Sequence, residues 1–155
     1  AYAPDEPLLL NFLGYGMVEQ HEDLAEAEKL LRKAHELDVH DAAITDSLGW
    51  VRVERGDLAG GMPLLEKAAE QTPEDPEVNY HLGEAYWRMG RKTEAVDQWN
   101  VALGLHPSAA DETLIRAALQ KAGVPATPAG EQPAAAPASA PASAQPVQEQ
   151  GKHTP

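Results

Sequence analysis

The 155-residue sequence contains no cysteine. That excludes a disulfide framework, a thiolate nucleophile and the commonest structural zinc sites, and it leaves the redox compartment undecided between cytoplasm and envelope. No apolar run approaches the ~18 residues of a membrane-spanning helix, which argues against direct membrane insertion. Basic residues are scarce: 12 Lys and Arg stand against 25 Asp and Glu, for a formal net charge of −13. A surface of that sign repels phosphate, so nucleic acid and anionic membranes are disfavoured and basic or uncharged partners favoured. Large apolar residues are nearly missing from Val124 to Pro155, a stretch with nine Ala and seven Pro. Such a segment buries too little apolar surface to offset its ordering entropy, and residues 124–155 are expected to be a disordered tail, able to act as a tether. Setting aside its Glu131, Glu149 and Lys152 leaves −12 on residues 1–123. The chain opens AYAPDEP, with neither an initiator Met nor the basic and apolar regions of a signal peptide, and is expected to be processed or cut from something longer.

What is present is a repeat. Sliding the sequence on itself by 34 residues brings Leu48-Gly49 onto Leu82-Gly83, Gly56 onto Gly90, Ala68 onto Ala102 and Pro73 onto Pro107. The same offset carries Ala27 to Gly61 to Ala95, and Leu31 to Leu65 to Trp99. Small residues recur where helix backbones must approach closely, and large ones recur where that approach leaves a gap to fill. The three units cover about residues 7–40, 41–74 and 75–107, after a lead-in over 1–6. In the first unit Leu13-Gly14 sits one residue early relative to Ala27, which predicts a turn one residue longer there.

This pattern resembles the tetratricopeptide repeat, and Leu82, Gly83, Tyr86, Gly90, Ala95, Trp99, Ala102 and Pro107 all fall on it. Gly61 in place of Ala, Val39 in place of Pro and Arg52 in place of an aromatic depart from it. The resemblance implies an all-α, right-handed superhelical solenoid of helix-turn-helix units, in which each unit buries its apolar stripe only against its neighbours. With the Ala/Pro-rich tail it also suggests a bacterial chain.

Local signals agree with paired helices. Asp75-Pro76 reads as an N-cap followed by Pro at the first helical position, and Gly56 and Gly90 as positive-φ helix ends. Pro63 falls beyond the first turn of a helix starting near Leu58 and is expected to distort it, making that helix the weakest. Residues 108–123 read as a capping helix: Ser108 is its N-cap with Asp111 three residues on, Leu114, Ile115, Ala118 and Leu119 share a face, and the helix packs over Trp99. At the other end Leu8, Leu9, Leu10, Phe12, Leu13, Tyr15, Met17 and Val18 make the first helix apolar nearly all round, so an upstream repeat is expected beside it.

No catalytic constellation emerges. His35 and His40 mimic the His-Glu-x-x-His zinc pattern, but five residues separate them instead of four, and they read as solvent-facing turn residues. His21, His81, His106 and His153 show no metal spacing. Ser47 and Ser108, taken as helix starts, lack a nucleophile elbow, and Gly14-Tyr15-Gly16 and Gly60-Gly61 lack the lysine of a phosphate loop. Glu19 and Glu22, like Glu26 and Glu28, read as a solvated acidic face. The expectation is therefore no enzyme, no metal and no cofactor; a metal-dependent hydrolase is the alternative of another class.

The resemblance instead implies a concave groove lined by the first helix of each unit. Its positions are Asn11, Tyr15 and Val18, then Asp46, Trp50 and Val53, then Tyr80, Glu84 and Trp87. Aromatics interleaved with Asn and acidic groups suit an extended peptide or a partner helix. The Lys and Asn pattern by which some family members clamp a terminal carboxylate is missing. The expected function is a non-catalytic scaffold that binds a protein or peptide; the alternative is a purely structural end of a longer array.

Overall fold

A computed structural model describes residues 5–124, so the tail expected at 124–155 lies, but for Val124, outside the described residues. Seven helices follow one another: α1 Pro7–Glu19, α2 Leu24–Leu37, α3 Ala42–Glu54, α4 Leu58–Gln71, α5 Pro76–Arg88, α6 Lys92–Gly104 and α7 Ala109–Lys121. Among the described residues there is no strand.

Aspartates start four of these helices. The side chains of Asp23, Asp41, Asp57 and Asp75 accept from the backbone N–H of Glu26, Ile44, Gly60 and Glu77 respectively. Each such cap contributes about 1 kcal/mol. Ser108 caps α7 through the Asp111 N–H at 3.2 Å. Arg91 stands where Asp23 and Asp57 do in their units and gives α6 no side-chain cap; it pairs with Glu94 instead.

The turns follow the repeat. Gly56 and Gly90 take φ of 86° and 79° after α3 and α5, as the sequence predicts. Between α1 and α2 the turn Gln20–Asp23 is one residue longer than Arg55–Asp57, and both His21, at 53°, and Asp23, at 20°, take positive φ. Pro63 does not break α4, which runs unbroken from Leu58 to Gln71. Both Pro63 and Ala59, whose carbonyl loses its partner four residues on, are exposed, which leaves that carbonyl on the solvent side of the helix.

Each helix pair closes on a small residue. A Cβ built on Gly83 would lie 2.5 Å from Trp99 Cδ1, one on Gly14 2.7 Å from Leu31 Cγ, and one on Gly49 3.0 Å from the Leu65 side chain. Gly61 replaces the usual Ala because its Cβ would meet the Gly49 carbonyl at 2.7 Å. Leu31, Leu65 and Trp99 are all fully buried. The core runs on from unit to unit: Val18, Leu31, Leu48 and Val51 join the first two, and Val53, Leu65, Leu82 and Ala85 the next two. α7 closes the end with Ile115, Ala118 and Leu119 against Trp99. First helices touch one another along the array, α1 on α3, α3 on α5 and α5 on α7, while no second helix contacts the next second helix. The first helices therefore form the inner, concave side.

Trp99→Ala should cost about 3–5 kcal/mol, measured by urea unfolding of the whole chain. Gly83→Ala should cost about 1–3 kcal/mol by overpacking. Because both changes act on one contact, Gly83→Ala combined with Trp99→Leu should destabilise by less than the two single changes added; strict additivity would mean the two positions do not compensate.

Candidate functional site

On the concave side, Tyr15, Val18, Glu19, His21, Trp50, Glu54, Tyr80, Glu84 and Arg88 surround a cavity of about 330 Å³ that His81 floors and Leu114 of α7 edges. Helical periodicity puts them there. Trp50 and Glu54 lie one turn apart on α3, Glu84 and Arg88 one turn apart on α5, and both pairs face the same space.

Five of the nine positions expected in the groove line this cavity: Tyr15, Val18, Trp50, Tyr80 and Glu84. Tyr15, Trp50, Tyr80 and Glu84 are half-buried and present a surface, whereas Val18 is 1% exposed and belongs to the core between the first units. Val53, also 1% exposed, packs on Met62, Leu65 and Leu82. Asn11 is half-buried away from the cavity, with Oδ1 enclosed and without a hydrogen bond. Trp87 lies in a separate hollow of about 510 Å³ between α5, α6 and α7, with Lys92, Asp97 and Lys121. Its ring tilts against Trp99 at 5.6 Å, and the Lys92 and Lys121 ammonium groups stand 5.1 and 5.7 Å from its centre. A first helix has neighbours on three sides, and four of the nine positions, Asn11, Asp46, Val53 and Trp87, lie outside this cavity.

Asp46 is not a surface group either. It is 4% exposed, and its Oδ2 lies 2.8 Å from Nδ1 of His81, itself 2% exposed. Trp50 stacks on the imidazole at 4.4 Å and 16°, and Tyr80 and Tyr15 tilt against it at 5.8 and 6.1 Å. The Tyr15 hydroxyl bonds to Glu77, and burial together with that carboxylate pushes its pKa up. Burial raises Glu77 as well, with the hydrogen bond from Tyr15 opposing it. For His81, burial works against the charged ring, and the Asp46 and Glu77 carboxylates outweigh it, so its pKa stands above the ordinary value.

Ligand atoms of Asp46, Glu77 and His81 all lie within 4.8 Å of one another, making these the residues that could hold a metal ion. As they stand they satisfy one another: Nδ1 is taken by Asp46, Glu77 by Tyr15, and only Asp46 Oδ1 is enclosed without a partner. His81 shows no metal spacing to another histidine, but Glu77 and His81 at i, i+4 on α5 are a visible signal in the sequence. The histidine's partner Asp46, 35 residues away on α3, is not.

Three lesser expectations are corrected. His35 lies inside α2 and is half-buried, so of the His35–His40 pair only His40 is a solvent-facing turn residue. Ser47 sits in the middle of α3 with its hydroxyl donating to the Ala43 carbonyl at 2.9 Å. Glu28 is no free acidic group: it pairs with Arg52 at 3.4 Å and with Arg55, tying α2 to α3.

Stacked helix-turn-helix units sealed by a terminal helix define an α-solenoid. Residues 52–122 match the family described as Tetratricopeptide repeat. TPR repeat-containing protein PA4667 of Pseudomonas aeruginosa is 42% identical over 84 residues, which cover 54% of this chain and 14% of that protein. Among solved structures, MamA (AMB-1) is 26% identical with a TM-score of 0.55, over 79% of this chain and 73% of its own. PcrH from Pseudomonas aeruginosa is 20% identical with a TM-score of 0.65, over 80% and 96%, and a second PcrH structure holds the chaperone-binding region of PopB. The 34-residue period and paired helices agree with the family match, and over residues 52–122 the chain is similar to tetratricopeptide-repeat proteins.

The buried histidine sets a pH dependence. His81, raised above its unfolded value of 6.5, contributes its full stabilisation below that pH and loses it as pH rises through the folded pKa. Glu77, raised above 4.5, costs stability increasingly as pH rises from there through its folded value, and in full above it. The stability difference between the wild type and His81→Gln cancels most other groups. Measured by denaturant unfolding, it should shrink as pH rises above 6.5; a difference that grew with pH would reverse the assignment.

Proposed function

We propose that this chain is a non-catalytic interaction module that holds a protein or peptide segment in its concave groove. The observation that carries this reading is the half-buried row Tyr15, Trp50 and Tyr80, drawn from three different units around one cavity. Aromatic rings held on rigid helices offer contact area at little entropic cost, the usual makings of a binding hot spot. Glu19, Glu54 and Glu84 around them favour a basic or uncharged partner. PcrH holding a region of PopB is a precedent for what the fold can present.

A panel of extended peptides of basic, neutral and acidic character provides the test. Basic and neutral members should bind, and Trp50→Ala and Tyr80→Ala should each weaken them at least tenfold, or about 1.4 kcal/mol. Trp87→Ala should leave binding unchanged. Equal capture of acidic peptides, or indifference to Trp50 and Tyr80, would sink the groove.

A second reading, the end of a longer array, is favoured by α1. Phe12 is 74% exposed and Leu8 60%, whereas the positions matching Phe12 in the next units, Ser47 and His81, are 4% and 2% exposed beneath the preceding unit. This face fits another helix pair of the same kind. Without one, the chain should self-associate with rising concentration in sedimentation velocity, and Phe12→Asp should suppress that. A strictly monomeric wild type at millimolar concentration would count against an upstream repeat.

A further inference from the structure

We propose that Trp50, Glu54 and Glu84 form a guanidinium subsite of the groove, and that Arg88 is its built-in occupant, which an arginine of the partner displaces. The inference rests on the groove reading and names the side chain that the groove selects.

Arg88 is the last residue of α5 and already shows what the subsite takes. Its guanidinium carbon stands 5.3 Å from the centre of the Trp50 ring. Nη2 lies 2.5 Å from Glu54 and 4.0 Å from Glu84, and Nη1 donates to the Val53 carbonyl at 3.3 Å. An aromatic face, two carboxylates and a backbone acceptor together match a flat, many-donor cation and suit a compact ammonium less well.

Burial is unequal across these contacts. The Glu54 and Glu84 side chains are 9% and 13% exposed, and that of Arg88 is 35% exposed. The carboxylates belong to the wall, and the cation is a long side chain laid over them from the solvent side. Burial raises the Glu84 pKa, and Arg88 and Lys121 oppose that shift, so a cation beside it favours the charged acid. His21, 3.7 Å from the other Glu54 oxygen and largely exposed, is the remaining basic group at the mouth, and Glu19 adds a further acid.

A half-exposed ion pair contributes little net stability, so exchanging one guanidinium for another is close to neutral. Displacement then costs little, and the partner's contacts with Tyr15 and Tyr80 decide the outcome. Arg88 keeps lone basic side chains out and admits those carried on a segment that fits the groove.

The test uses three otherwise identical peptides built on a groove-binding member of the panel above and carrying arginine, lysine or citrulline at the centre, titrated by calorimetry into the wild type and Arg88→Gln. Arg88→Gln should bind the arginine peptide about tenfold tighter than the wild type and the lysine peptide less so. The uncharged citrulline peptide should not distinguish the two forms. Glu84→Gln should lose the preference for arginine. In the unaltered protein, where no variant can misfold, the Arg88 Nε–H resonance should shift when the arginine peptide is added and stay put with citrulline. A static resonance, or an Arg88→Gln chain that binds the arginine peptide no better than the wild type, overturns the proposal. If at the same time Trp50→Ala still weakens binding of the wider peptide panel at least tenfold, the groove reading stands and only its arginine subsite falls.

Discussion

Everything in this array depends on one steric relation: a residue without a side chain on the first helix of each unit lies against a large residue of the second. Gly14 faces Leu31, Gly49 faces Leu65 and Gly83 faces Trp99. In each pair a Cβ on the glycine would intrude on its partner, and the partner is wholly enclosed. Close approach of the two backbones is thus made possible by the glycine and filled by the large side chain, and dense packing leaves little room for any other separation. The third pair is the tightest and carries the largest residue, and α7 covers it. Trp99 Nε1 is enclosed there without a hydrogen bond, a polar cost accepted for the volume of the indole.

Fixing the hairpins in this way decides what the inner surface can be. Once each second helix is turned outward, only first helices meet along the concave side, and one stripe of each remains uncovered. Residues a turn apart on α3 and α5 come to share a space: Trp50 with Tyr80, and Glu54 with Glu84 and Arg88. The acidic excess of the chain reaches this surface in concentrated form, because Glu54 and Glu84 are held half in the wall where water screens them poorly. Chemistry of the groove follows from packing of the hairpins.

Much of the fold was legible because steric size repeats along the sequence. The 34-residue echo gave the units, Gly56 and Gly90 gave the turns, and Ser108 with Ile115, Ala118 and Leu119 gave the sealing helix. Depth was less legible. Helical phase tells which way Val18, Val53 and Asp46 point, but how far neighbours cover them depends on the angle between successive units, and no residue in the sequence states that angle. The Asp46–His81 pair was hidden for the same reason, since it joins residues 35 apart that meet only when α3 and α5 are stacked. Trp87 shows the converse: it lies on the expected helix, but α7 and the lysines beside it claim it for another hollow.

The seams between units differ in kind from those within them. Inside a hairpin the glycine contact is apolar and steric, while between units polar contacts join the packing: Glu28 with Arg52 and Arg55 from α2 to α3, and Asp46 with His81 and Glu54 with Arg88 from α3 to α5. Apolar surfaces tolerate sliding and small rotations, but a buried imidazole and carboxylate 2.8 Å apart have essentially one good arrangement, and breaking it strands a charge at a cost of about 3–5 kcal/mol. Polar pairs of this kind add little net stability and much orientation. Because His81 also floors the cavity and stacks on Trp50, the contact that sets how α5 sits on α3 also sets the spacing of the aromatic walls. Groove geometry and unit angle are therefore one variable, held by the same few side chains. Substitutions at Asp46 or His81 act on the shape of this cavity even though Asp46 lies behind its wall.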